Sequence, residues 1–319
     1  VLKKLGRSKP FGLLVIIVFI VFVFSMIKPE YFTWGNLTTI LYQCAQGGIL
    51  MVGFGTLLIS GNFDMSVAAV GTVGGILCSM MVNAGVNWIL AVLICVAVGG
   101  LLGAFNAITW YRFRIMPFIG TLGISYVWTG LAAFITKNQS IDISNAGFFK
   151  LGGPLIFGVI PIGFVYVAVL VLIYGVILSR TKFGRSVYMS GGNMMAARIS
   201  GINIQKVGTI MYINCSALCS FGGIVIASRF HQFSSATLST TLMNSMTAVF
   251  LGGLSFGGGT GGMLGAFTGL LLLNAFNNGL IIIGMGAYWQ IFAQGFLLII
   301  ALAVDYFNNV QRMKTLKIK

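Results

Sequence analysis

The segment Ser179–Lys206, SRTKFGRSVYMSGGNMMAARISGINIQK, gathers Arg180, Lys182, Arg185, Arg198 and Lys206 into one hydrophilic break in an otherwise apolar chain. Only 7% of the 319 residues are charged, against about a quarter in an ordinary soluble domain. On both sides of the break, apolar runs recur that are long enough to cross the roughly 30 Å hydrocarbon core of a bilayer. A cationic break between such runs reads as a cytoplasmic loop, because Lys and Arg accumulate on that side of a membrane. With 58% hydrophobic residues the chain cannot cover a soluble core with polar surface. It reads as an all-α integral membrane protein forming one transmembrane domain over residues 1–319, with a cytoplasmic loop at about 180–206.

Working outward from the loop, the hydropathy pattern predicts ten spans. Six precede it, near 11–27, 37–60, 66–83, 88–110, 117–136 and 160–179, and four follow, near 207–228, 241–254, 262–283 and 288–304. The eighth is too short to cross alone unless it extends into its flanking turns. The basic N-terminal stretch before Phe11 has no small-residue cleavage site after its apolar run, so it reads as an uncleaved first helix. Ten spans put both termini on one side. That side then carries fifteen of the cations, including Lys3, Lys4, Arg7, Lys9, Arg112, Arg114 and the basic tail, against Lys28, Lys137, Lys150 and Arg229 opposite. The asymmetry predicts cytoplasmic termini. It also accounts for the net charge of +15 without nucleic acid, since the cations lie in short loops where they meet anionic lipid.

Cys44, Cys78, Cys95, Cys215 and Cys219 all sit in apolar runs with no metal-ligand spacing, and are expected as buried free thiols. Many of the 44 glycines recur at four-residue spacing, as at Gly71/Gly75, Gly99/Gly103 and Gly261/Gly265/Gly269, which predicts closely packed helices. Two Gly-rich turns resemble each other, Ser60–Ser66 and Gly252–Gly258, each on the predicted cytoplasmic side. Paired interruptions of this kind can mark a transport path.

The four acids are Glu30, Asp64, Asp142 and Asp305, and only Asp64 lies between two membrane segments. It is either a functional group beside the path or a cap accepting from the backbone N–H of Ser66 or Val67. No paired carboxylates, HExxH, Ser/His/Asp set or GxxxxGK[ST] occurs, so neither enzymatic chemistry nor ATP binding is expected in this chain, and no metal. One intramembrane acid gives thin support to ion coupling, leaving an ion-coupled carrier as the weaker alternative. The spans instead carry amides: Gln43 and Gln46 in the second, Asn106 in the fourth, Asn214 in the seventh, and Asn274, Asn277 and Asn278 in the ninth. Amides offer both donors and acceptors and suit a neutral polyhydroxylated solute. They also serve as hydrogen bonds between helices. Within the loop, Gly192 and Asn193 precede Met194, Met195, Ala196, Ala197, Arg198, Ile199 and Ser200, followed by Gly201. This predicts a two-turn helix with Asn193 as N-cap and Gly201 in the left-handed conformation, a shape on which a docking partner can push. Arg185 belongs to the same docking surface.

At this point the residues resemble a known family. Gly61–Ala68, Pro117–Gly123, Gly192–Ile202 and Leu251–Gln290 match, in order, four blocks of the permease subunits of bacterial ABC importers for ribose and other simple sugars. The resemblance covers essentially the whole chain. It implies a vitamin-B12-transporter-like bundle in the bacterial inner membrane and a second permease copy, as homodimer or heterodimer. It also implies ATPase subunits that bind ATP and Mg and dock on the basic loop, and a periplasmic or lipid-anchored sugar-binding protein. Nucleosides and autoinducer furanoses are alternative cargoes of similar permeases. Asn62 and Phe63 stand where Gly and Ile are usual, and Ala68 replaces a common Gly. The turn holding Asn62, Asp64 and Ser66 is expected to border the pathway.

Overall fold

In a computed structural model, the structure describes residues 9–317. The predicted cytoplasmic termini, with Lys3, Lys4, Arg7 and Lys319, lie outside the described residues. The described chain folds into twelve α-helices in this order: α1 (Lys9–Ile27), α2 (Trp34–Ile59), α3 (Val67–Asn83), α4 (Trp88–Tyr111), α5 (Pro117–Thr136), α6 (Ile162–Arg180), α7 (Lys182–Gly192), α8 (Met194–Ile199), α9 (Ile204–Phe230), α10 (Thr241–Leu251), α11 (Met263–Ile282) and α12 (Ala287–Lys317). Each predicted span contains a helix. Seven of them, α2, α4, α5, α6, α9, α11 and α12, are long and apolar enough to cross a membrane, while α1, α3 and α10 are shorter apolar helices. The eighth segment ends at Leu251 rather than 254, where Gly252 and Gly253 break the pattern.

Local chemistry sets the boundaries. Thr33, Asn87 and Asn203 cap α2, α4 and α9 by accepting from the N–H groups of Asn36, Ile89 and Lys206. Pro117 opens α5, where its missing N–H costs nothing. The strictly helical expectation misses two small two-stranded pairings in the predicted outer loops: β1 (Ile141–Asp142) with β4 (Gln232–Phe233), and β2 (Leu155–Ile156) with β3 (Ile160–Pro161).

The centre of the bundle is α2, buried along most of its length, with α9 and α11 also largely buried. Helix α9 packs along α4, α3 and α2, and α10 packs against α11, α2 and α12. Small residues make these approaches possible. A Cβ at Gly75 would meet the Phe233 ring at 2.6 Å, and one at Gly71 would lie 3.0 Å from the Cys219 carbonyl oxygen. Gly261, expected on a helix with Gly265 and Gly269, belongs instead to the turn before α11. All five cysteines are free and buried.

Candidate functional site

The amides predicted in the second and ninth spans come together. Gln43 and Gln46 of α2 and Asn274 and Asn277 of α11 line one cleft of about 320 Å³. Their shared wall follows from helical spacing: residues three apart on each helix present to the same side. The opposite walls hold residues that the sequence reading did not select. These are Thr237, Thr240, Thr241 and Asn244, at and before the start of α10, and Gln290 and Gln294 on α12. Their one sequence signal is the four-residue spacing of Gln290 and Gln294, which helical periodicity could have paired. Asn278 is buried beside Asn277 but does not line the cleft.

No charged side chain lines this cleft. Asn274 satisfies its own amide N–H by donating to the Leu270 carbonyl at 2.8 Å. By contrast, Gln43 Oε1, Asn244 Oδ1 and Asn277 Oδ1 are buried and have no hydrogen-bond partner in the protein, as does Asn278 Oδ1. Buried acceptors without donors are uncommon and call for an explanation. A second cavity of about 340 Å³ shares Gln46, Thr237 and Thr241 with the first and continues to Ser140, Gln232 and Ser234 in the loops that carry β1 and β4. The two form a polar route from those loops to the middle of α2.

The remaining pathway candidates lie elsewhere. Asn62, Asp64, Ser66 and Asn106 line neither cavity; they close into one buried knot at the opposite end of the bundle. Asp64 Oδ1 accepts from Ser66 N and from Ser66 Oγ, both at 2.7 Å, and Oδ2 accepts from Asn106 Nδ2 at 3.0 Å. Asn62 Oδ1 accepts from Tyr111 at 3.1 Å, and Tyr212 donates to the Phe63 carbonyl at 3.0 Å. Burial pushes the Asp64 carboxyl above its usual range, against the opposing hydrogen bonds from Ser66 and Asn106. The knot ties the turn between α2 and α3 to α4 and α9: Asp64 holds Ser66, the residue just before α3, and α3 itself has no side-chain cap. Asn214 is likewise a link between helices: Tyr174 donates to its Oδ1, and its Nδ2 lies 3.5 Å from Thr56 Oγ1.

The basic segment folds into two helices, since α7 precedes the short α8. Asn193 caps α8 by accepting from Ala196 N at 3.0 Å, and Gly201 adopts φ +78° just past its end. Met194, Met195 and Ile199 are exposed on α8 while Ala197 is buried, leaving an apolar outer face beside Arg198. Arg185 is exposed on α7.

At its C-terminal end α7 meets the chain at both Gly-rich turns. Gly259 N donates to the Ile59 carbonyl at 2.9 Å. A Cβ at Gly258 would lie 2.7 Å from Gly61 Cα, and one at Gly61 would lie 2.9 Å from Gly191 Cα. Tyr188 of α7 also donates to the Gly261 carbonyl at 2.7 Å. Three backbones therefore meet with no side chain between them. Of the two adjacent glycines it is Gly191 that is enclosed; Gly192, the one chosen from sequence, is exposed.

Comparison with known proteins gives these features a context. Residues 36–302 match the family described as branched-chain amino acid transport system / permease component. The ribose import permease of Escherichia coli K12 is 30% identical over 92% of this chain and 92% of its own length. That of Bacillus subtilis is 32% identical over 96% and 93%. An autoinducer 2 import permease of Photorhabdus laumondii is 29% identical over 95% and 91%. No solved structure gives a significant match. With seven helices able to cross a membrane, a family match spanning residues 36–302 and relatives aligned over more than nine-tenths of its length, the chain belongs to the transport permease family, as a multi-pass inner-membrane component among the ABC importer permeases of the ribose type.

Proposed function

We propose that this chain is the membrane subunit of an ABC importer that moves a monosaccharide or similar polyhydroxylated neutral solute inward. The observation that carries the reading is the uncharged cleft with unpartnered amide oxygens on Gln43, Asn244 and Asn277. A sugar ring presents several hydroxyl donors, which such oxygens can accept. A branched-chain amino acid would bring a carboxylate and an ammonium into a cleft with no ion to pair them, at a desolvation cost of several kcal/mol. Furanose autoinducers and nucleosides present the same hydroxyl chemistry and fall within this class.

The wider assembly follows from the family and the charge pattern. The single permease domain would cross ten times with both termini cytoplasmic, in a vitamin-B12-transporter-like bundle. Helix α10, with 11 residues, is about 17 Å long and covers about half of the hydrocarbon core. The turns flanking α10 would complete that crossing, which irregular backbone can do where protein covers it. Two permease copies, identical or related, would form the pore. ATP with Mg would be hydrolysed on partner subunits docked on α7 and α8, and an external binding protein would deliver the solute.

Uptake of labelled ribose and labelled leucine, in cells also expressing the cognate ATPase and binding protein, tests the reading. Sugar uptake without leucine uptake is expected. Gln43→Leu and Asn277→Leu should each lower uptake about fivefold, one hydrogen bond's worth of about 1 kcal/mol, at unchanged membrane abundance. Leucine uptake, or full sugar uptake by both variants, would refute it.

A further inference from the structure

Where α4 ends and α9 begins lies a cavity of about 400 Å³ that shares no lining residue with the amide cleft. Arg112 and Arg114 line it together with Tyr111, Gln205 and Thr209, and no acidic side chain does. We propose that it is a binding site for the phosphate headgroup of an anionic phospholipid in the cytoplasmic leaflet. The assignment of leaflet rests on the orientation proposed above; the headgroup chemistry does not.

Three observations support it. Two guanidiniums with an amide and a hydroxyl provide a cluster of donors, and guanidinium geometry matches phosphate oxygens. The chain around them alternates: exposed Phe113, Ile115 and Met116 interleave with and follow the two arginines. Apolar side chains in the acyl region with cations at headgroup depth is the arrangement that a basic, lipid-facing pocket takes. The backbone is also fixed, because Arg114 sits at φ +57° and its N–H donates to the Trp110 carbonyl at 3.0 Å.

Occupancy would be felt inside the bundle. Tyr111, one wall of the cavity, donates to Asn62 in the Asp64 knot. It also packs so closely on Gly208 that a Cβ there would overlap its hydroxyl. A lipid on this wall braces α4 against α9 at the end where the knot is tied.

The test uses the purified full chain in detergent, measuring thermal unfolding and bound lipid by native mass spectrometry. The probes are phosphatidylglycerol, phosphatidylcholine and inorganic phosphate. Phosphatidylglycerol should bind saturably and raise the unfolding midpoint, with phosphatidylcholine and millimolar phosphate giving neither effect. Arg112→Gln with Arg114→Gln should weaken phosphatidylglycerol about thirtyfold, from roughly fivefold per cation. Arg180→Gln with Lys182→Gln, an equal charge loss at residues that do not line the cavity, should weaken it clearly less than the first pair does. If the first pair is not recovered, Gln205→Glu, which places an acid in the cavity, carries the same expectation. Equal loss in both pairs, equal binding of both lipids, or saturation by free phosphate would each overturn the proposal. Thiol labelling of Arg185→Cys from either side reports the leaflet separately, since the native cysteines are buried.

Discussion

Replacing Gly191 with alanine would set a Cβ against the Ile59 carbonyl oxygen, 2.6 Å from the Gly259 nitrogen and 2.8 Å from the Gly61 nitrogen. All three neighbours are backbone, so no side chain can rotate aside. Overpacking of this kind costs about 1–3 kcal/mol. Pushing the Gly259 N–H away from the Ile59 carbonyl would leave a buried donor unmet, adding about 1–3 kcal/mol. Alanine returns about 1 kcal/mol through its helix preference at the end of α7. The net loss comes to about 3 kcal/mol. Gly192→Ala is the internal control, because a Cβ there meets nothing closer than Gly259 Cα at 3.9 Å. It gains the helix preference alone and should be neutral or slightly stabilising.

The assay is the unfolding midpoint of each purified variant in detergent, followed by uptake in cells at matched abundance. Gly191→Ala should lower the midpoint by about 10 °C, at roughly 2–4 °C per kcal/mol for a chain of this order of size, and should abolish uptake. Gly192→Ala should match or exceed the unsubstituted protein in both. If the two variants fall within about a degree of one another, the three backbones do not bear on one another, and α7 and α8 are not clasped to both turns.

Asp64→Asn should lower stability by about 1–3 kcal/mol, because the carboxylate accepts on both oxygens, from Ser66 and from Asn106, and an amide accepts on one only; combining it with Asn106→Asp should recover part of the loss in the same unfolding measurement. Gly201→Val should cost uptake through backbone strain alone, of order 1 kcal/mol or more at φ +78°, since a side chain there meets nothing within 4 Å. Arg198→Glu should leave the midpoint unchanged and weaken co-purification of the partner ATPase, because Arg198 is exposed on the outer face of α8; normal co-purification would put the docking surface elsewhere.

How far the sequence reveals these features depends on how local the physics is. Helices were legible because a long apolar run has one solution in lipid, and the cap of α8 because Asn193 and Gly201 act on their immediate neighbours. The amides of α2 and α11 were legible as residue types but not as two sets. Helical spacing places Gln43 with Gln46 and Asn274 with Asn277, and cannot say that Asn106 faces a carboxylate 42 positions away instead. Asn244 and Gln294 escaped notice since nothing in a single span marks which apolar helix will carry the far wall of a cleft. Adjacent glycines are the extreme case: Gly191 and Gly192 have the same chemistry, and only the path of two distant turns separates them.

The two Gly-rich turns show the same limit, and it explains how they act together. They resemble each other in sequence and they meet in space, with the Phe63 and Phe256 rings 5.3 Å apart. Each is stitched by a carboxylate that accepts from a serine hydroxyl and a backbone N–H. In the first, Asp64 lies two residues from its Ser66 partner. In the second, Asp305, midway along α12, reaches Ser255 at 3.0 Å and Phe256 N at 3.3 Å. Asp64 therefore looks like a cap in the sequence, and Asp305 looks like a residue of the terminal helix, although they perform one task. The difference has a mechanical consequence. The first turn is held by its own residues and by α4 and α9, whereas the second is held by α12, which also lines the amide cleft through Gln290 and Gln294. A displacement of α7 and α8 reaches both turns through Gly191; the first turn passes it to α2, which the Asp64 knot ties to α4 and α9, and the second passes it to α12. Movement imposed at α7 and α8 is thus expected to open or close the cleft through α12 while the Asp64 knot keeps α2, α4 and α9 in register.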